Sequence, residues 1–463
     1  MLRTHTCGEL NEGAVGKEVI LCGWVDTRRD HGKLIFIDIR DRYGITQVVF
    51  LPKPKELNES AKKLKNESVV RIKGQVNARP QGTINENIPT GKVELLAAEL
   101  EIINQSEDLP FPIVENADLG EDIRLEYRYL DLRRKSVAQK LVMRHQFNHA
   151  FRIFLDEKSF LEIETPYLTK STPEGARDYL VPSRLNPNKF YALPQSPQIL
   201  KQLLMVAGMD RYYQIVRCFR DEDLRKDRQP EFTQLDIEMS FVDQEDIFAL
   251  IEELVKYSFK KVLNIDIPTP FRRIAHAQAM AKYKSDKPDM RPETNEQFAF
   301  LWVVDFPMFE YDQEEKRWVA AHHPFTAPNK EDVHKLDTGD LGNIRACSYD
   351  LVLNGSELAS GSIRIHDSVQ QAKVFKTMGI SDEEAEEKFG FMLKAFRFGA
   401  PVHAGIALGL DRLYTMITGS DSIREVIAFP KTQKGTCPLS GAPSVVSEKQ
   451  LKELFLKLVE PKE

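Results

Sequence analysis

Between residues 34 and 40 the chain alternates strictly, with Ile35, Ile37 and Ile39 on one face and Leu34, Phe36, Asp38 and Arg40 on the other. A period of two buries one apolar set only in an extended strand, so this segment demands a sheet with one dry face. Its neighbours follow the same rule. Residues 18–25 place Val19, Leu21 and Val25 between Gly16 and a polar run at 26–33. Gly44 marks a turn before a third strand at 45–51, and a Lys-rich stretch at 56–66 reads as a helix. Two further strands are expected at 69–76 and 93–103.

Three strands, a helix and two strands is the order of an OB-fold β-barrel, whose strand face takes single-stranded nucleic acid. Another small β-barrel fits the pattern alone. Residues 1–100 hold 16 Lys and Arg against 13 Asp and Glu, a net of +3, whereas the whole chain is −6. A mildly basic module in an acidic chain is compatible with an anionic partner there, and is also a common accident of composition.

At roughly 100–200 residues per domain, 463 residues suggest two to four domains. A segment with Pro110 and Pro112, then a run dense in Arg and Tyr at 124–134, reads as a hinge. Beyond it come a long amphipathic helix at 137–158, helices at 196–207 and 244–263, and strands at 190–193, 213–219, 232–239 and 301–305. No regular βαβ repeat occurs, which disfavours a doubly wound sheet. The expected boundaries are 1–105 for the barrel, 106–136 for the hinge and 137–463 for the second domain. No apolar run approaches the roughly 18–20 residues of a membrane span, and residues 1–10 lack a signal or transit pattern. Five scattered cysteines without a CxxC pair speak against a disulfide framework or structural zinc. An intracellular, cytoplasmic protein without membrane contact is expected.

The chain has no P-loop, no G-x-G-x-x-G after a strand and no zinc-binding His pair of the H-E-x-x-H type. A nucleotide site would have to use side chains. Residues 217–238 contain them: a strand ends at Arg220, a loop of alternating charge follows, and a second strand starts at Glu231 and Phe232. Such a hairpin can offer an Arg to a phosphate and a ring to a purine, although read alone it is better taken as a solvated hairpin with surface ion pairs.

This stretch resembles motif 2 of the class II aminoacyl-tRNA synthetases. Residues 160–166, ending at Pro166, are similar to motif 1, and residues 405–413, with Gly409, Leu410, Asp411 and Arg412, are similar to motif 3. The stretches 172–184, 193–203, 322–326 and 361–366 resemble bacterial-type aspartyl-tRNA synthetases, as do 22–25 and 28–32 in the first domain and 127–133 in the hinge. The resemblance spans nearly the whole chain. It implies an α+β protein: an N-terminal OB-fold β-barrel for the anticodon and a class II catalytic domain with an antiparallel sheet flanked by helices. Bacterial members normally insert a complete domain after residues 285–291, whereas here only residues 292–300 bridge to the strand at 301–305. The shortened junction is natural or engineered, and every core motif flanks it, so catalysis is expected to survive.

The implied reaction joins ATP and L-aspartate into aspartyl-adenylate with release of pyrophosphate, then moves aspartate to the 3′ adenosine of tRNA. Two anions must meet, so catalysis should be charge neutralisation and positioning without a protein nucleophile. The resemblance gives Arg220 the α-phosphate and the attacking carboxylate, Arg412 the γ-phosphate, and Phe232 the adenine. Glu222, Gln229, Gly409, Leu410 and Asp411 complete the ATP site, while Glu357 and Asp350 would hold Mg²⁺. Lys201 and Arg364 match positions that receive the aspartate side chain. Gln198, Glu174 and His322 match positions around the bound amino acid, with Glu174 suited to its ammonium; His322 and His323 fit a closing loop. Two buried cations facing a neutral amide would reject asparagine by several kcal/mol, on the order of 10⁴ in rate.

In the barrel, Arg29, Phe36, Gln47 and Glu94 match positions near the anticodon. Phe36 lies opposite Ile35 and Ile37, where it can stack on a base, with a place in the barrel core as the alternative. His31 and Gly82 fall at two positions associated with relaxed tRNA choice in the family. They imply aspartylation of both tRNA-Asp and tRNA-Asn, and hence a downstream tRNA-dependent amidotransferase. Motif 1 implies a homodimer. The rivals are an asparaginyl-tRNA synthetase and a tRNA-independent amide ligase built on the same fold; the complete barrel and hinge argue against the latter.

Overall fold

Five strands close into a barrel in the first of two units, Met1–Pro112 and Ile113–Glu463, of a computed structural model that describes residues 1–172, 176–314 and 316–459. The strands are β1 (Glu18–Asp30), β2 (Ile35–Arg40), β3 (Ile45–Phe50), β4 (Val69–Ala78) and β5 (Val93–Asn104), with helix α1 (Lys55–Lys62) between β3 and β4. Their order is β1-β2-β3-β5-β4, closed by β4 against β1; β3 and β5 run parallel and the other pairs antiparallel. This is the five-stranded OB arrangement expected from the element order. Val19, Leu21, Ile35, Ile37, Ile39, Val48 and Ile72 fill the interior, all fully buried.

Two boundaries differ from the sequence reading. Strand β1 continues through the polar residues to Asp30, because beyond an irregularity between Val25 and Thr27 they pair with β2 as a ribbon that needs no apolar face. Helix α1 stops at Lys62, since turns at Lys63 and Leu64 lead to Glu67 with φ 68°, whose N–H bonds to Val25.

In the second unit, residues 121–134, read from sequence as part of a hinge, are fixed by buried charge. Asp131 is fully buried and accepts from Arg128 at 2.6 Å, pairs with Arg134 at 2.7 Å and is bonded by Arg124 at 3.3 Å. Arg128, itself buried, also donates to the backbone carbonyls of Ala428 at 3.0 Å and Ile427 at 2.9 Å. These partners lie 300 residues away in sequence, out of reach of any local pattern.

The unit is built on an eight-stranded sheet. Its strands are β6 (Leu161–Glu162), β7 (Arg211–Phe219), β8 (Glu231–Ser240), β9 (Arg272–Ala275), β10 (Phe300–Val304), β11 (Ser348–Leu353), β12 (Ser356–Ile363) and β13 (His403–Gly409). They lie in the order β9-β10-β11-β12-β13-β8-β7-β6. The sheet is mixed rather than purely antiparallel: the two edge pairs, β9 with β10 and β6 with β7, are parallel. Each of those pairs is joined through a helix, His276–Tyr283 for one and α3 (Gln198–Val206) for the other, and a crossover is what parallel pairing requires.

One face of the sheet is covered by α2 (Lys135–Glu157) and α4 (Gln244–Leu263). Phe147, Phe151, Phe248, Ile251 and Leu254 pack there against Leu235, Ile237, Trp302, Leu351 and Ile406. Helix α4 keeps its expected bounds because both ends are written locally. Asp243 and Asp246 form a capping box at its start, and Asn264 ends it in the left-handed region at φ 56°. Among the described residues no helix is long and apolar enough to cross a membrane.

Replacing Asp131 with Ala leaves three guanidinium groups around an empty carboxylate position. Urea unfolding of the full chain should show a loss of about 3–5 kcal/mol; a loss below about 1 kcal/mol would contradict a structural role for this cluster.

Candidate active site

Strand β8 alternates as strictly as β2. Leu235, Ile237 and Met239 point to the helical layer, so Gln234, Asp236 and Glu238 must point to the opposite face. There the sheet floors a cavity of about 510 Å³. Lys201 and Gln198 of α3 line it, with Arg220, Phe232, Asp236, Glu357, Arg364, and Arg412 from α5 (Leu410–Thr418). The structure thus gathers, from segments 198 to 412, most residues that the sequence motifs single out.

At one end four charged side chains are sealed from water. Lys201 Nζ lies 2.6 Å from Asp236 Oδ1 and 3.1 Å from Glu238 Oε2. Arg364 donates from Nε and Nη2 to the two oxygens of Glu238, at 2.9 and 3.2 Å, and from Nη1 to Ser362 Oγ at 2.6 Å. His323 Nε2 is 2.7 Å from the same Nη1, and burial together with Arg364 holds the His323 pKa well below its ordinary value. Burial alone would raise the Glu238 carboxyl, but Arg364 and Lys201 outweigh it and bring its pKa down to about 2. Asp236 behaves oppositely: burial raises its pKa and Lys201 only partly offsets the rise. Lys201 and Arg364 are thus two buried cations at the cavity wall, each fixed by a carboxylate behind it. Asp236 and Glu238, absent from the sequence candidates, announce themselves only as acidic residues two apart on one strand face.

The other end is suited to a polyanion. Arg220 Cζ sits 5.1 Å from the centre of the Phe232 ring, and its buried Nε has no hydrogen-bond partner among the described residues. Glu222 lines the cavity, paired to Arg228 at 2.8 Å. Arg412 donates to the Glu357 carbonyl and lies 3.8 Å from Asp227, leaving its guanidinium half in the cavity. Gly409, at the strand-to-helix junction, lines it as well. Asp350 stands on β11 beside β12, with its Oδ1 buried and without a hydrogen-bond partner among the described residues. Burial and the neighbouring Glu357 raise its pKa well above the carboxylate range, since two close carboxylates disfavour each other's charge.

Of the other expected nucleotide residues, Gln229 and Asp411 line the cavity and also brace it, while Leu410 does not line it. Leu410 is fully buried in the sheet core and does not line the cavity, because as the first residue of α5 it faces the helical layer. Gln229 has both ends of its amide on the Lys431 backbone, donating at 3.0 Å and accepting at 2.7 Å. Asp411 accepts from the Thr233 N–H at 2.7 Å and from Arg144, so it braces the β8 end of the site. Glu174 lies outside the described residues. His322 lines the cavity edge-on to Phe306 at 5.0 Å; burial lowers its pKa to about 4, and its buried Nε2 has no hydrogen-bond partner among the described residues.

In the first unit the outer barrel face carries a connected polar row. Arg29 donates to both oxygens of Asp38, at 2.7 and 3.0 Å, and to Gln47 Oε1 at 3.1 Å; Gln47 passes the chain on to Glu94 at 2.9 Å. Phe36 is half-buried on this outer face while Ile35 and Ile37 are fully buried, so it is not a core residue. His31 meets it edge-on at 5.5 Å. A Cβ added at Gly82 would touch nothing within 4 Å, so the fold does not demand glycine there.

The Glu238 pKa, held below its ordinary 4.5, makes the ion cluster a source of stability above pH 4.5 that fades as pH falls toward 2. Glu238→Gln should cost about 3–5 kcal/mol at pH 7. That gap should narrow by about 1.4 kcal/mol per pH unit below 4.5 in urea unfolding; a gap that does not change with pH would contradict the pairing.

Comparison with known proteins agrees with this layout. A family model for class II tRNA synthetases (D, K and N) matches residues 120–433, and one for an OB-fold nucleic acid binding domain matches residues 19–103. An aspartate–tRNA(Asp/Asn) ligase of Endomicrobium trichonymphae is 46% identical over 585 aligned positions, covering 99% of this chain and all of the relative. A ligase of the same name from Caldanaerobacter subterraneus subsp. tengcongensis is 45% identical, covering 98% of both chains. These alignments run more than a hundred positions beyond the 463 residues here, so the relatives carry sequence that this chain lacks. Among solved structures, asparaginyl-tRNA synthetase from Pyrococcus horikoshii with asparaginyl-adenylate superposes with a TM-score of 0.77 at 25% identity, covering 93% of this chain and 99% of that one. A putative aspartyl-tRNA synthetase from Leishmania major Friedlin gives 0.75 at 20% identity over 91% and 92%, a likeness of fold alone. The chain belongs to the class II tRNA synthetases of the D, K and N group, with an OB-fold nucleic acid binding domain ahead of the synthetase domain.

Proposed function

We propose that the chain is an aspartate–tRNA ligase: it activates L-aspartate with ATP and transfers it to the 3′ adenosine of both tRNA-Asp and tRNA-Asn. The observation that carries the choice of amino acid is the charge of the sealed cluster. Lys201 and Arg364 line the cavity as two buried positive charges, held in place from behind by Asp236 and Glu238. A ligand carboxylate can accept from both cations, whereas the amide of asparagine turns an NH₂ donor toward them in a dry site.

In the first step an α-carboxylate oxygen bonds to the α-phosphorus and the bond to the β-phosphate bridging oxygen breaks, releasing pyrophosphate. Arg220 bridges the two anions that must approach, Arg412 takes the γ-phosphate and Phe232 stacks on the adenine. Glu222, Gly409 and the Leu410 backbone border the nucleotide, with Gln229 and Asp411 acting as braces. Asp350 and Glu357 fit Mg²⁺ accompanying ATP: two adjacent carboxylates, one with a buried orphaned oxygen, form a hard anionic pair. The cation neutralises phosphate charge when bound. Gln198 and His322 border the amino acid, and Glu174 would take its ammonium. In the barrel, the Arg29–Gln47–Glu94 row and the Phe36 ring would read the anticodon, with His31 and Gly82 leaving its third base unpoliced. The misacylated tRNA-Asn then requires a tRNA-dependent amidotransferase.

A homodimer is part of the proposal. Leu161, Tyr167 and Leu168, in and after the edge strand β6, are 49%, 42% and 53% exposed, which is the kind of apolar edge that a second copy covers. The junction at 292–300, a single helical turn (Arg291–Thr294) ended by Asn295, would replace the inserted domain without loss of the core reaction. Site of action is the cytoplasm.

Charging of the two tRNA transcripts with radiolabelled aspartate tests this reading. Rates should agree within about tenfold, and Arg220→Ala should abolish both by at least 10²-fold. A preference of several hundredfold for tRNA-Asp would refute dual acceptance, and near-normal charging by the Arg220 variant would refute the assigned site.

A further inference from the structure

A chain of buried hydrogen bonds runs along α3 and ends at the cavity wall. His403, fully buried at the start of β13, places Nδ1 2.8 Å from the Pro401 carbonyl. Its Nε2 lies 3.0 Å from Gln202 Nε2, and Gln202 Oε1 accepts from Gln198 Nε2 at 3.0 Å. Gln202 is fully buried; Gln198 is 6% exposed and lines the cavity. The edge of the Phe396 ring packs on the imidazole at 6.3 Å.

The polarity of this chain follows from its anchor. A backbone carbonyl only accepts, so the His403 proton sits on Nδ1. Burial lowers the His403 pKa and keeps the ring neutral, which leaves Nε2 as an acceptor. Gln202 must then turn its NH₂ to His403 and its carbonyl to Gln198. Gln198 in turn gives its NH₂ to Gln202, and its Oε1 is the atom that remains for the cavity. Without the anchor, a glutamine amide can turn over at little cost and present N–H groups instead.

We propose that Gln202 and His403 are positioning residues which, from the Pro401 carbonyl, aim Gln198 Oε1 into the cavity as a fixed acceptor for the α-ammonium of the amino acid substrate. The inference rests on the reading of the cavity as an amino-acid-activating site. It explains why two neutral polar side chains, costly to bury, stand behind the lining with no ligand contact of their own.

The test is aspartate-dependent ATP–pyrophosphate exchange, with succinate, the same dicarboxylate without the ammonium, as competing ligand. In Gln202→Met the aspartate KM should rise about tenfold or more, while the succinate inhibition constant stays within about twofold of wild type. His403→Phe removes the anchor but keeps both glutamines, and should give the same split, so either variant that folds decides the matter. Gln202→Glu accepts from Gln198 as before and should retain the wild-type ratio. A parallel rise for aspartate and succinate, as general distortion would cause, overturns the proposal, and so does an unchanged aspartate KM. If the wild-type chain does not activate aspartate at all, the functional reading fails first and this inference falls with it.

Discussion

The interaction on which the second unit turns is the sealed network of Lys201, Asp236, Glu238 and Arg364. It joins α3, β8 and the segment just after β12 through side chains that are each at least 98% buried on their charged ends. Ions in such a place are tolerable only when each has partners, and each here does. The network also dictates backbone elsewhere. A Cβ at Gly405 would fall 1.8 Å from Glu238 Oε2, so the neighbouring strand must carry glycine for the carboxylate to lie flat against it. The alternation of β8 ties both layers together: the residues that hold the helices on one face fix the charges on the other.

Around this network the cavity divides its labour. The sealed end is close to neutral and rigid, fit to measure one carboxylate. The open end, with Arg220, Arg412 and the Asp350–Glu357 pair, is fit for phosphate and its cation. Several side chains between them serve as struts. Gln229 ties the hairpin to Lys431, and Asp411 ties α5 to β8 and to Arg144 of α2.

Local signals were the legible ones. The alternation at residues 34–40 locates the barrel interior, and Asp243 with Asn264 bounds α4 to the residue. The motifs bring Arg220, Phe232, Glu357 and Arg412 to one cavity. What the sequence hides is pairing over distance. Lys201 looks like a bare cation until Asp236, 35 residues on, is seen 2.6 Å away. Gln229 lines the cavity as its motif suggests, but nothing local shows that Lys431, 202 residues on, holds both ends of its amide. Leu410 sits in a motif, but its burial depends on a helical layer built from residues far upstream. The polar tail of β1 reads as loop because a two-sided ribbon carries no periodic mark.

Two buried cations at the cavity wall, Lys201 and Arg364, rather than shape, select the amino acid. The most direct measurement is the ratio of kcat/KM for aspartate and asparagine in ATP–pyrophosphate exchange with the wild-type chain. A preference for aspartate of about 10²-fold or more is expected, the cost of a few kcal/mol for turning a neutral amide toward those cations. Equal use of the two amino acids, or a preference for asparagine, would contradict it.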